Sequence, residues 1–160
     1  MEQKEVRVLL EQVAGGKMDI DEAMLKLKEA PFEDLGFAKP DYHRALRQGI
    51  AEVIYGAGKT PEQIHDIVAS MVQQGQKSIL ITRMSSEAAE AVEQDFILKY
   101  DKYSRLGLVG EIPEPDGIGK VVVAAAGTSD LPVAEEAAQT AECFGNEVVR
   151  LYDVGVAGLH

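Results

Sequence analysis

Apolar residues recur along this chain at steps of three and four in five places, and each place predicts a helix. Val6, Leu9, Leu10 and Val13 form the stripe of a helix from Gln3 to Ala14, which Gly15-Gly16 ends. Ile20, Ala23, Met24 and Leu27 mark a second helix to about Lys28, with Asp19 and Glu22 spaced as a capping box. Together they predict a helical hairpin, with Met18 and Met24 as core filler. Ile64, Ile67, Val68 and Met71 mark a helix from Pro61 to Gln74, and Ser85-Ser86 precede another from Glu87 to Gln94. The last, Leu131 to Phe144, carries Val133, Ala134, Ala137, Ala138 and Ala141.

Between these helices stand short apolar runs of the kind found in strands buried on both faces. Ile50–Tyr55, Ser78–Thr82, Val121–Ala126 and Val148–Leu151 are such runs. Phe96 to Val109 alternates loosely and predicts one or two edge strands, with Tyr100 and Tyr103 packing across them. Strands alternating with helices predict an α/β fold, and the final strand–helix–strand stretch predicts a parallel β-α-β unit. Gly110 to Gly117 holds two prolines, two glycines and three acids, a linker by composition. It divides the chain into residues 1–112, a hairpin plus a small α/β domain, and residues 118–160.

The composition, 46% hydrophobic and 27% charged, is that of an ordinary globular protein. No run of about 18 apolar residues and no signal-peptide pattern stands in the sequence, so a cytoplasmic location is expected. A net charge of -11 argues against nucleic acid and against an anionic membrane as partners. Any phosphate site must then be local, built from backbone amides and a few cations. His43, His65 and His160 lack the spacing of metal ligands, so no metal site is expected. A basic patch containing His43, Arg44 and Arg47 reads either as a phosphate contact or as a solvated helix face.

Two turns carry candidate chemistry. Gly56-Ala57-Gly58-Lys59-Thr60 follows a strand and resembles a P-loop, but Val53 stands where the first glycine of that motif belongs. ATP hydrolysis is therefore not expected of it. Thr60, Pro61 and Gln63 suit a helix start, Gly56 and Gly58 let backbone approach a ligand, and Lys59 supplies a cation. Arg83 ends a strand at the same end of the sheet if the two strands are parallel. Phosphate binding and a plain strand-to-helix turn both fit this group. The second turn is Gly127-Thr128-Ser129-Asp130, where a new helix begins beside small residues and a hydroxyl. Ser129 or Asp130 could cap that helix or contact an anion, and spacing leaves both readings open.

From this turn to the end, GTSDLPVAEEAAQTAECFGNEVVRLYDVGVAGLH resembles the start of the catalytic domain of the LarB family. Asp34 to Ala38 (DLGFA) and Glu52 to Thr60 (EVIYGAGKT) resemble that family's amino-terminal region, so the likeness covers nearly the whole chain. LarB is the carboxylase/hydrolase of nicotinic acid adenine dinucleotide in nickel-pincer cofactor synthesis. Its catalytic domain is similar to PurE, the aminoimidazole ribonucleotide carboxylase/mutase, whose fold is a flavodoxin-like three-layer domain. The resemblance implies that Gly127, Thr128, Ser129 and Asp130 contact a substrate phosphate or ribose. It also implies a nucleotide substrate, symmetric homo-oligomers, no tightly bound cofactor, and magnesium as the one plausible metal.

Three departures limit the likeness. Gly127 replaces a serine of the PurE turn, and Val156 stands near the place of the PurE histidine. PurE-type mutase chemistry is thus a weaker alternative, and a non-catalytic nucleotide-binding or protein-interaction module is another. The LarB catalytic Cys lies in a part of that domain beyond residue 160. Cys143, the only Cys, falls in a helix pattern and reads as a small packing residue. The chain is expected to be a fragment, inactive alone. Incubation with nicotinic acid adenine dinucleotide, bicarbonate and magnesium should yield no carboxylated mononucleotide by mass spectrometry. Detectable product would contradict the assignment of the catalytic Cys.

Overall fold

The computed structural model describes residues 3–28, 34–42, 44 and 52–156, and these fall into two compact units, Met1–Glu52 and Val53–His160. In the first, α1 (Gln3–Ala14) and α2 (Ile20–Lys28) pack on one another as the predicted hairpin. Its connection turns at Gly16, whose φ of 66° is left-handed, and Lys17 N–H donates to the Gln12 carbonyl. Asp19 Oδ1 accepts from Asp21 N–H at the start of α2. Ala23 is buried, whereas Met24 is 45% exposed and so is not core filler. Val8, Leu10 and Leu25 are exposed as well. The expected basic patch lies mostly outside the described residues; of it, Arg44 sits 3.8 Å from Glu52.

The second unit holds a four-stranded sheet and a two-stranded one. The first is built from β1 (Val53–Tyr55), β2 (Ser78–Thr82), β3 (Leu98–Asp101) and β4 (Leu106–Gly110), in the order β1-β2-β4-β3. β1 and β2 are parallel, while β4 is antiparallel to both its neighbours. Sequence periodicity predicted edge strands over Phe96–Val109, but β4 is interior. Leu106, Leu108 and Val109 on it are all buried, so it fits the middle of a covered sheet. Tyr103 is likewise not packed across the strands; it lies half-exposed in the β3–β4 turn.

Alternation along β2 sends Ile79 and Ile81 to one face and Leu80 to the other, and all three are buried. α3 (Pro61–Gln73) and α4 (Ser86–Glu93) pack together and bury Ile64, Ile67, Val68, Met71 and Val92. Their N-termini follow the reading from sequence. Thr60 and Gln63 complete a capping box on α3, and Ser85 Oγ accepts from Ala88 N–H on α4.

β5 (Lys120–Ala125), α5 (Leu131–Cys143) and β6 (Glu147–Tyr152) form the predicted parallel β-α-β unit. α5 faces two ways. It packs on β5 and β6, and it also packs on β2. Cys143 joins Leu80, Leu106 and Leu108 in one cluster, with Val53 and Phe144 against it. The expected boundary at residues 112–118 thus falls inside the second compact unit. The segment there crosses the surface from β4 to β5 while α5 returns to the first sheet.

A polar network links the two sheets beside this cluster. Arg150 on β6 donates from Nε to Glu135 at 3.1 Å and, through both terminal nitrogens, to Glu142. Tyr152 Oη donates to Glu135 at 2.9 Å. Gln139 Nε2 donates to Glu135 and to Asp101 at the end of β3, and Ser104 Oγ also donates to Asp101. Burial pushes the Asp101 carboxyl up, but Gln139, the Tyr103 amide and Ser104 together hold it below its ordinary value. Burial likewise acts on Glu135, and the hydrogen bonds from Arg150, Tyr152 and Gln139 outweigh it, so its value is also lowered.

A carboxyl depressed in the folded state stabilises above its unfolded pKa of about 4, and that stability is lost as pH falls through the folded value. The urea midpoint should therefore fall below about pH 4.5. Arg150→Met should flatten that fall and lower stability at pH 7 by about 2 kcal/mol, because Glu135 and Glu142 lose their shared cation in a half-buried setting. An unchanged midpoint at pH 7 would show that the network contributes nothing.

Candidate functional site

Both candidate turns lie at one end of the second unit. Parallel pairing brings the carboxyl ends of β1 and β2 together, so the loops 56–60 and 83–85 emerge side by side. β3 runs parallel to β2 through two antiparallel steps, so the β3–β4 turn, residues 102–105, lies at this end too. Open α/β sheets place ligands at such ends.

Gly56 N–H donates to the Thr82 carbonyl at 2.7 Å, and a Cβ on Gly56 would stand 2.9 Å from that oxygen. The glycine is needed for the approach of one loop to the other. Gly58 has a φ of 79°, and Lys59 N–H donates back to Gly56, closing a tight turn of four residues. This turn is too short to wrap a phosphate. Thr60 is committed to the capping box, and Glu62 takes its own backbone amide and the Thr60 hydroxyl, which hold its carboxyl below the ordinary value. The start of α3 is thus already occupied by its own side chains. Among the described residues the Lys59 ammonium has no ion pair and remains available.

Arg83 stands at the end of β2 with a φ of 54°, and its Nε donates to Glu136 on α5 at 3.0–3.1 Å. The structure therefore places Lys59's loop and Arg83 together, yet it commits Arg83 to a carboxylate. Arg105, which periodicity did not single out, joins the same end. Its φ is 58°, and it donates to the carbonyls of Met84 and Arg83. Only the antiparallel register of β3 and β4 brings it there, and no local pattern marks it.

The second turn is a short 3-10 helix, Thr128–Asp130, leading into α5. The capping reading is not what the structure shows: neither Ser129 nor Asp130 makes a side-chain cap, and Gly127 precedes them in extended backbone. The turn carries the capping load through backbone bonds, with Asp130 N–H donating to Gly127 and Leu131 N–H to Thr128. Thr128, Ser129 and Asp130 are exposed, and no partner for the Ser129 or Asp130 side chain stands among the described residues. Tyr103 Oη donates to the Thr128 carbonyl at 3.4 Å, so the turn lies beside the β3–β4 turn. Val154 N–H donates to the Ala125 carbonyl, which brings the chain after β6 alongside it.

Other candidates fall away from this end. Cys143 is buried in the core, where burial and then the Glu142 charge push its thiol up to about 11, and an unreactive thiol follows. His65 pairs with Asp95 at 2.8 Å and with the ring of Phe96. His43, Arg47 and His160 lie outside the described residues. Among the described residues no group of three His, Cys, Asp or Glu could hold a metal ion, and no helix is long and apolar enough to cross a membrane. The tight turn at Gly56–Lys59 yields a direct expectation. Phosphate release from ATP by this chain should equal that of a Lys59→Ala control, and an excess would overturn the geometric argument.

Residues 32–111 match the family described as the LarB/PurE-like N-terminal domain, a match that spans half of the chain and covers the four-stranded sheet with α3 and α4. An uncharacterized protein of Methanocaldococcus jannaschii is 33% identical over 164 residues, covering 98% of this chain. The chain spans 64% of that relative's length. The match thus runs through the β1 and β2 loops as well as the sheet, and the chain belongs to the LarB/PurE-like family.

Proposed function

We propose that this chain serves a LarB-like carboxylase/hydrolase of nicotinic acid adenine dinucleotide in nickel-pincer cofactor synthesis. The Gly127–Asp130 turn would hold a phosphate or ribose. One observation carries the reading: this turn sets Ser129 and Asp130 at the carboxyl end of a parallel strand and uses neither side chain to cap the following helix. A hydroxyl and a carboxylate left free there suit the phosphate and the diol of a nucleotide. Lys59 lies at the corresponding end of the neighbouring sheet as an available cation, with Gly56, Gly58 and Thr60 shaping its turn and Arg83 held by Glu136. Magnesium enters this proposal on the phosphates, with Asp130 as the carboxylate beside them.

The family match ends at residue 111, which supports reading residues 1–112 as the amino-terminal domain and 118–160 as the start of a PurE-like one. The outward face of β5 and β6 supports it too. Val122 and Leu151 there are 56% and 46% exposed, whereas parallel strands are usually covered on both faces. Further strands and layers, and assembly into a cytoplasmic homo-oligomer, belong to the same proposal. A second reading, a protein-interaction module, is favoured by the hairpin, where Val8, Leu10 and Leu25 are exposed.

Calorimetric titration with nicotinic acid adenine dinucleotide tests the site. Ser129→Ala and Asp130→Asn should each weaken binding about tenfold, the worth of one hydrogen bond to a charged group. Their unfolding midpoints should not move, because both side chains are exposed. Unchanged affinity in both variants would remove the turn from the site.

A further inference from the structure

We propose that the cleft between the β3 edge of the four-stranded sheet and α5 is a second ligand site, for a small monoanionic molecule with an apolar body. α5 meets the sheet over β2, and Cys143 packs with Leu80, Leu106 and Leu108, so an opening remains beside the edge strand β3. The opening is a cleft of about 420 Å³, within the range of small-molecule sites. Leu106, Leu108 and Cys143 form its apolar floor, and Ile112, from the segment after β4, forms a wall.

Register decides which charges reach the cleft. Lys99 pairs with Leu108 and Asp101 with Leu106, so both share the face that carries the floor. Glu142 and Arg150 complete the mouth. Arg150 is bound by Glu135 and Glu142, and Asp101 is held by Gln139, Ser104 and the Tyr103 amide. Lys99 is exposed, and among the described residues it has no ion pair. The one uncommitted charge at the mouth is therefore an ammonium.

Charge and size then set the ligand class. An apolar body fills the floor while a single carboxylate or sulfonate meets Lys99. The neighbouring Asp101 and Glu142 repel a polyphosphate, which separates this cleft from the Gly127–Asp130 turn. With its thiol pushed up to about 11, Cys143 acts as floor and not as a nucleophile, so binding is non-covalent.

Indole-3-acetate and tryptamine, which share a ring and differ in charge, are suitable probes for amide shift titrations by nuclear magnetic resonance. Indole-3-acetate should give saturable shifts at Lys99, Leu108, Ile112 and Cys143, with tryptamine weaker by about fivefold, the upper range for an exposed charge pair. Lys99→Glu should reduce indole-3-acetate affinity by at least that factor and leave the unfolding midpoint in place. Shifts that do not saturate, that map elsewhere, that are equal for the two probes, or that survive Lys99→Glu would each overturn the proposal.

Discussion

α5 has to serve two sheets at once, and the second unit depends on how it does so. Its small residues Ala134 and Ala138 are buried, which lets strands approach closely. Cys143 and Phe144, at its carboxyl end, reach Leu80, Leu106 and Leu108 on the four-stranded sheet. Glu135 and Glu142 reach the other way and grip Arg150 on β6. Gln139 then ties Glu135 to Asp101 on β3. A helix that was apolar on only one face would cover one sheet and leave the other. The mixture of apolar contact and charge-assisted hydrogen bonds makes one helix the shared layer.

That arrangement explains where free polar groups are found. In a chain of net charge -11, several of the described cations are matched by carboxylates. Arg83 is held by Glu136, Arg150 by two glutamates and Lys120 by Glu147. Among the described cations without an ion pair, Lys59 stands at the sheet's carboxyl end and Lys99 at the mouth of the cleft. The Gly127–Asp130 turn owes its free side chains to the 3-10 turn that starts α5. Backbone bonds there take over what a capping hydroxyl does at α3 and α4.

Much of this was legible in the residues. SILIT reads as a doubly buried strand and is one, because an unbroken apolar run has no polar face to offer water. Thr60-Pro61-Glu62-Gln63 specifies its helix start through local hydrogen bonds alone, so it could be read without tertiary knowledge. Ser129 and Asp130 mimic the same signal, but whether a hydroxyl caps depends on backbone angles that composition does not reveal. Sequence alone puts β4 at an edge because its pairing with β2, from Ser78 with Gly110 to Ile81 with Gly107, joins residues far apart in the chain. The Arg150 network and the Lys99 cleft were invisible for the same reason. Each needs residues some 15 to 50 positions apart to meet.

Amide hydrogen exchange tests most directly whether α5 joins the two sheets into one cooperative body. The account predicts that the slowest amides of α5, around Ala138, exchange with the same free energy as those of Leu80 on β2 and Leu108 on β4. Exchange of α5 and of β5–β6 through a separate opening, about 2 kcal/mol or more below that of β2 and β4, would contradict it.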